Sequence, residues 1–299
     1  MINYKEVLLK KFQESNNPKA IKRYEHSLCV AKRAVEIIKE HNLNIDIKKA
    51  ETAALLHDYA KFLTMDDFFE IVKENNLPSE ILENDYIILH ALLGPYVIKK
   101  ELGIEDQEIL DAVKYHTTGK ANMDPLQEVL FVADFTEELR PNVENIREIS
   151  KRDYKRAIAL ILEYTINLLI SRKRKINPLS LEAFDYYRKY LVLDLSKIKK
   201  VVKTIEDDHN LVKDIKVYDA RQNTPYYDFV IIATSPSLRQ MKAAANYLKM
   251  EFAPRMIEDG DFWVLIDLND IIIHIFLEEQ REYYGLDKLL KDVPEIELD

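Results

Sequence analysis

Four histidines and two aspartates of this chain stand where a solvated side chain is not expected. His26, His57, His90 and His116 each lie in an apolar helical context, and Asp58 follows His57 at the end of Ala53-Ala54-Leu55-Leu56. Asp134 closes the apolar run Val129-Leu130-Phe131-Val132-Ala133. A lone histidine on an apolar helix face is more often a hydrogen-bonded core residue than a ligand, and Asp134 alone could cap or pair structurally. As a set they make different chemistry. An ionised aspartate is costly to bury unless a metal or a partner offsets it. An adjacent imidazole and carboxylate can serve one ion, and the second carboxylate oxygen can reach another. Such nitrogen and oxygen donors suit iron, manganese, cobalt or zinc. His41, between Glu40 and Asn42, reads instead as a solvated helix end. The single cysteine, Cys29, excludes an internal disulfide or a thiolate metal cage and reads as a packing residue.

Helices must position these side chains. Up to about residue 190, apolar residues recur at helical spacing, as in Ala50 to Leu56, Ile109 to Val113 and Ala157 to Ile170. Asn16-Asn17-Pro18, Leu77-Pro78-Ser79 and Arg140-Pro141-Asn142 punctuate them. This pattern predicts an all-α domain of about seven to nine helices. After Leu195 the texture changes. A helix is expected over Leu195 to Asp207, strands over Asp214 to Arg221 and Asp228 to Thr234, and a helix over Ser237 to Phe252. Strands follow over Phe262 to Asp267 and Ile271 to Phe276, then a closing helix over Arg281 to Leu290. The fold class is therefore two domains, an all-α helical one over residues 1–192 and a small α/β one with a mixed sheet over residues 193–299.

The His57-Asp58 pair and its surrounding histidines and aspartates resemble the HD superfamily of metal-dependent phosphohydrolases. Leu55-Leu56-His57-Asp58-Tyr59-Ala60-Lys61, His116-Thr117-Thr118-Gly119 and Ala133-Asp134 are similar, within that superfamily, to the YqeK family. The resemblance implies symmetrical hydrolysis of diadenosine tetraphosphate to two ADP. It also implies that His26, His57, Asp58 and Asp134 hold one divalent ion and His90 and His116 a second, with Asp58 bridging. Iron is the expected metal, with manganese, cobalt, zinc or magnesium as alternatives, and one or two ions bound. An ion pair of this kind lowers the pKa of a shared water toward about 7, so no side-chain nucleophile is required. The catalytic positions are then Asp58 and Lys61. Lys61 is placed one helical turn past His57, and Arg23 nearly one turn before His26. Thr117, Thr118, Gly119 and Lys120 directly follow His116, and Arg140 could clamp a phosphate with two hydrogen bonds. The plain alternative for any exposed Lys or Arg is a solvated side chain; function is favoured over it for Lys61 and Arg140, while Arg23 and Lys120 could equally be solvated. Two places depart from the family pattern, the segment Phe135-Thr136-Glu137-Glu138-Leu139-Arg140, where Glu-Pro before the Arg is usual, and Ala91 after His90, where Gly is usual; both flank the site without removing a ligand and bear on the substrate more than on the hydrolysis.

Residues 195–299 hold no comparable chemistry of their own: one strand histidine, scattered carboxylates and no glycine-rich phosphate loop. Asp228 to Thr234, Ser237, Arg239-Gln240, Trp263 to Asp267, His274-Ile275-Phe276 and Arg281-Glu282-Tyr283-Tyr284 are similar to the ribosomal silencing factor family, RsfS. That implies binding to the large ribosomal subunit, on the face where the small subunit joins. His274, Arg281 and Tyr284 are the candidate contacts, although His274 and Tyr284 could simply pack. The net charge of −9 gives no general attraction to nucleic acid or anionic lipid, so no DNA partner is expected. No run reaches the roughly 18 apolar residues of a membrane span, and Met1 to Lys11 lacks a signal-peptide core, which points to the cytoplasm. The leading expectation is a diadenosine tetraphosphate hydrolase fused to a ribosome-silencing module. The alternatives are an HD nucleotidase or phosphodiesterase of other specificity, or a nucleotide sensor that gates ribosome binding.

Overall fold

Side-chain caps start most of the helices in the structure, a computed structural model that describes residues 2–191, 195–206 and 211–298. Asp46, Asp85 and Asp106 each accept a hydrogen bond from a first-turn backbone N–H, opening α3 (Ile47–Leu56), α5 (Tyr86–Leu102) and α6 (Gln107–Tyr115). Reciprocal capping boxes, Thr64 with Asp67 and Asp124 with Gln127, start α4 (Met65–Glu74) and α7 (Pro125–Thr136). The remaining helices of this part are α1 (Tyr4–Glu14), α2 (Ala20–Glu40), α8 (Glu144–Arg152), α9 (Tyr154–Ser171) and α10 (Pro178–Tyr187).

Ten α-helices thus precede residue 190 among the described residues, against the seven to nine expected. The N-terminal α1 has no counterpart among the expected elements. It buries only Leu8 and Phe12, so its charged positions mask the period.

Two compact units divide the chain, Met1–Val192 and Leu193–Asp299. In the first, α3 is central, packed against α1, α2, α6 and α7. Its small residues Ala50, Ala53 and Ala54 are at most 1% exposed and let the neighbouring helices approach closely. A similar economy holds at Gly94 of α5, where an added Cβ would lie 3.3 Å from Val113 of α6. The ends of α3 and α6, which carry His57 and His116, are thereby buried.

The second unit opens with α11 (Ser196–Glu206) and continues through β1 (Lys213–Asp219), β2 (Phe229–Ser235), α12 (Leu238–Phe252), β3 (Met256–Asp259), β4 (Trp263–Asp267) and β5 (Ile271–Leu277). It ends with α13 (Glu278–Tyr284) and α14 (Leu286–Leu289), split by Gly285 at φ 61° where one closing helix was expected. The sheet is mixed, in the order β1-β2-β5-β4-β3, with β2 and β5 parallel and the other pairs antiparallel. Alternation sorts the side chains. Ile271, Ile273 and Ile275 join the core under α11 and α12, while Phe276 joins Tyr218, Val230 and Ile232 on the other face. Strand β3 went unread because it is four residues long and pairs only with β4, so most of its side chains stay exposed and show no alternation. The expected domain boundary at 192–193 and the expected helix end at Asp207 lie outside the described residues. No helix among the described residues is long and apolar enough to cross a membrane.

Candidate metal centre

His57 and His116 reach the same point by the same local device. Each follows the last residue of its helix in helical geometry, and each places Nδ1 2.6 Å from a carbonyl three residues back, Ala54 for His57 and Val113 for His116. A ring whose Nδ1–H is given to a carbonyl keeps its lone pair on Nε2, the arrangement metal-ligating histidines require. His26 of α2 places Nδ1 3.2 Å from Glu137 Oε1, and α5 supplies His90.

Asp58 sits between these rings and is 1% exposed. Its Oδ1 is 2.9 Å from His90 Nε2 and 3.8 Å from His116 Nε2, while Oδ2 is 3.4 Å from His57 Nε2. Asp134 Oδ1 lies 3.0 Å from His26 Nε2 and 3.7 Å from His57 Nε2. Two ligand-type triads result, His26 with His57 and Asp58, and Asp58 with His90 and His116, the donor atoms of each lying within 4.8 Å of one another.

The fit to a divalent ion rests on unpaired atoms. His26 Nε2, His57 Nε2 and Asp58 Oδ1 are buried and make no hydrogen bond to the described residues. Each such orphan costs roughly 1–3 kcal/mol, and the three are divided between the two triads, where a cation would satisfy them. Protonation states agree for part of the set. Burial holds His90 and His116 below the ordinary imidazole value, which keeps them neutral, as ligands must be. Burial would raise the Asp58 carboxyl, but its neighbours His57, Lys61 and His90 outweigh it and hold it well below the usual range. Burial likewise opposes a charge on His26, yet the carboxylates of Asp134 and Glu137 raise its pKa to about 9. A cation at this position would take the place of that proton.

Cations ring the carboxylates. Arg23 Nη1 is 2.8 Å from Asp58 Oδ2, Lys61 Nζ is 3.3 Å from Asp58 Oδ1, and Arg140 Nη2 is 3.2 Å from Asp134 Oδ1. All three line a cleft of about 400 Å³ with Thr117, whose buried hydroxyl has no partner among the described residues. The far wall holds Phe135 and Tyr164, whose ring centroids are 5.7 Å apart.

The structure therefore gathers His26, His57, Asp58, His90, His116 and Asp134, with Arg23, Lys61, Thr117 and Arg140 around them. Three expected phosphate contacts lie otherwise. The Thr118 hydroxyl donates to the Gly119 carbonyl, and the Gly119 N–H donates to the Tyr115 carbonyl. Gly119 is at φ +64°, against Ala183, Phe131 and Leu162, so its backbone closes a helix end. Lys120 lies over the Tyr115 ring. Lys61 arrives by a turn after α3 has ended, not on a continuing helix face. His41 is not a solvated end: its Nε2 lies 2.7 Å from the Ser150 carbonyl and its ring against Tyr154. Cys29 is a half-buried thiol beside Glu138, and burial together with that carboxylate pushes its pKa up to about 11.

Glu137 is a functional residue the sequence reading missed. It is 2% exposed and orients His26. The available signal was its spacing, three residues past Asp134. A Glu137→Gln chain is expected to bind divalent ions about 10–100-fold more weakly in a chelator-competition titration. Unchanged affinity would remove the orienting role.

In the second unit, His274 is packed rather than presented. Its Nδ1 accepts from Trp263 Nε1 at 3.2 Å, and burial lowers its pKa to about 4. Arg281 is also committed internally, to both carboxylate oxygens of Asp287 at 2.9 Å and to the Thr234 hydroxyl at 2.9 Å. Tyr284 does reach the surface, 46% exposed beside Tyr283 and against the Trp263 and Phe276 rings.

Known proteins resemble the two units separately. Residues 23–139 match the family described as "HD domain", and residues 194–299 match "Ribosomal silencing factor during starvation". A Bacillus subtilis protein named "Bis(5'-nucleosyl)-tetraphosphatase, symmetrical" is 34% identical over 158 residues, covering 52% of this chain and 84% of that protein. The B. subtilis "Ribosomal silencing factor RsfS" is 30% identical over 114 residues, 36% of this chain and 96% of that one. A solved Clostridium acetobutylicum structure, described as a "predicted HD superfamily hydrolase involved in NAD metabolism", is 31% identical with a TM-score of 0.56. It covers 63% of this chain and 98% of that one.

Proposed function

This chain belongs to the HD-type symmetrical bis(5'-nucleosyl)-tetraphosphatase family through its first unit and to the RsfS family through its second, and from that premise we propose a two-part function. The first unit hydrolyses a dinucleoside tetraphosphate, diadenosine tetraphosphate foremost, to two nucleoside diphosphates. The second binds the large ribosomal subunit and silences it. Both activities belong to the cytoplasm, where nucleotide and ribosomes meet.

One observation carries the catalytic reading: the two oxygens of a buried Asp58 face different imidazoles at the edge of a cation-lined cleft. His26, His57, Asp58 and Asp134 would hold one divalent ion, and Asp58, His90 and His116 a second. Four imidazoles favour iron, manganese, cobalt or zinc over magnesium, which prefers oxygen; we take iron as the native metal. Bound ions of this class supply a water acidic enough to attack at neutral pH and positive charge opposite the phosphates.

The chain's own groups do the rest. Arg23, Lys61 and Arg140 bind the polyphosphate and offset its charge, the guanidiniums by paired hydrogen bonds. The Phe135 and Tyr164 rings offer a wall on which a base can stack. Asp58, held by Arg23 and Lys61, keeps the imidazoles in one arrangement. In the reaction a water oxygen bonds to one central phosphorus and the bond from that phosphorus to the middle bridging oxygen breaks. The bridging oxygen leaves with the electron pair on the second diphosphate, and the water protons pass to it and to solvent.

Product analysis of the metal-loaded full chain tests this. Two ADP from diadenosine tetraphosphate is the expected result; ATP plus AMP, or no turnover, overturns it. Co-sedimentation with large subunits tests the second part, and its absence for the full chain overturns silencing.

A further inference from the structure

A second cavity, of about 370 Å³, opens beside the cleft of about 400 Å³ described above. Both fall within the roughly 300–1,000 Å³ usual for small-molecule sites. Arg23 and Arg140 line both cavities. Asp58 and Asp134 line the first and His26 the second, with His26 Nε2 3.0 Å from Asp134 Oδ1. The ligand cluster therefore stands at the boundary between the two spaces.

Their walls differ in kind. The first carries Phe135 and Tyr164, whereas the second has no Phe, Tyr or Trp among its described lining residues, and its one ring, His26, belongs to the ligand cluster. The second carries Lys19 and Lys22 instead, three residues apart at the start of α2 and both exposed. Neither lysine forms an ion pair among the described residues. The one carboxylate lining this cavity, Glu137, is turned to His26 Nδ1 at 3.2 Å. Two ammonium groups beside Arg23 and Arg140, without a partner carboxylate, make a local positive field in a chain of net charge −9. A polyphosphate cut at its centre leaves a diphosphate on each side of the cutting point, and each side needs its own cations.

We infer that Lys19 and Lys22 hold the phosphates of the substrate's second half in this cavity, while its base is left without a stacking partner. The inference rests on the dinucleoside polyphosphate reading above. It makes the enzyme selective for one nucleoside, the one against Phe135 and Tyr164, and permissive for the other.

Calorimetric titration of the metal-loaded full chain with ADP tests it without relying on turnover. The wild type is expected to bind about two ADP per chain, one per cavity, and a Lys19→Ala/Lys22→Ala variant about one. The same variant should raise KM for diadenosine tetraphosphate about tenfold, the loss of one or two charge-assisted contacts. Both lysines are exposed, so the variant should keep the wild-type unfolding temperature. One ADP bound by the wild type, or two retained by the variant, overturns the inference. A wild type that releases two ADP from substrate yet binds only one leaves the hydrolase reading standing and sinks this one alone.

Discussion

An Asp58→Asn chain is expected to lose on the order of 10³-fold or more in kcat/KM while remaining folded. The substitution keeps the shape of the side chain and removes one negative charge and one acceptor. Asp58 is 1% exposed and supplies an oxygen to both triads, so no other carboxylate stands where it could take over. An amide places an N–H₂ group toward either His57 or the His90 and His116 pair, and both triads need an acceptor there. A 10³-fold loss is about 4 kcal/mol of transition-state stabilisation. Arg23 and Lys61, left without their carboxylate, are part-exposed and can turn to solvent, so the fold should survive. Circular dichroism separates this from simple unfolding. A folded Asp58→Asn chain with activity within tenfold of wild type would contradict the proposed role.

The second large effect concerns Glu128, buried in α7 at 2% exposure. Its Oε1 accepts from the Tyr187 hydroxyl at 2.8 Å and faces Lys155 Nζ at 3.3 Å, while Oε2 accepts from the Tyr154 hydroxyl at 3.1 Å. Burial and this carboxylate push both phenols above their ordinary value, so they stay protonated donors. Tyr187 in turn accepts from the Met123 N–H, just ahead of the capping box that starts α7. One carboxylate thus ties α9 and α10 to the helix that carries Asp134. Glu128→Ala strands two hydroxyls and an ammonium, and a broken buried network of this kind costs about 3–5 kcal/mol. For a unit of this size each kcal/mol lowers the unfolding temperature by roughly 2–4 °C, so a fall of about 10 °C is expected. Tyr187→Phe should cost less, about 1 kcal/mol. A Glu128→Ala chain that melts within about 2 °C of wild type would show that the network contributes little.

What the sequence could and could not reveal follows from these examples. His57-Asp58 stood out because a charged residue directly after an apolar helix face demands a partner, and that demand is written in one stretch of chain. His26, His90, His116 and Asp134 carried the same contradiction on separate helices, and the structure brings them to one point. Glu128 and Glu137 satisfy theirs with tyrosines and a histidine distant in sequence, so each reads locally as an ordinary solvated acid. Thr118 and Gly119 show a different limit. Both do adjoin His116, but the backbone turns after it, so the Gly119 N–H closes α6 and the Thr118 hydroxyl donates to the Gly119 carbonyl. In the sheet, alternation placed His274 beside Phe276 correctly. Its fate was decided by Trp263 on the neighbouring strand β4, which no period along β5 can show.

The most direct test of the central claim is the metal content of the chain after loading with iron(II) and desalting, read by plasma mass spectrometry for wild type and Asp58→Asn in parallel. A cluster that cages divalent ions predicts about one to two ions per wild-type chain and at least a tenfold lower content in the variant. Equal retention by the two chains, or none by the wild type, would contradict it.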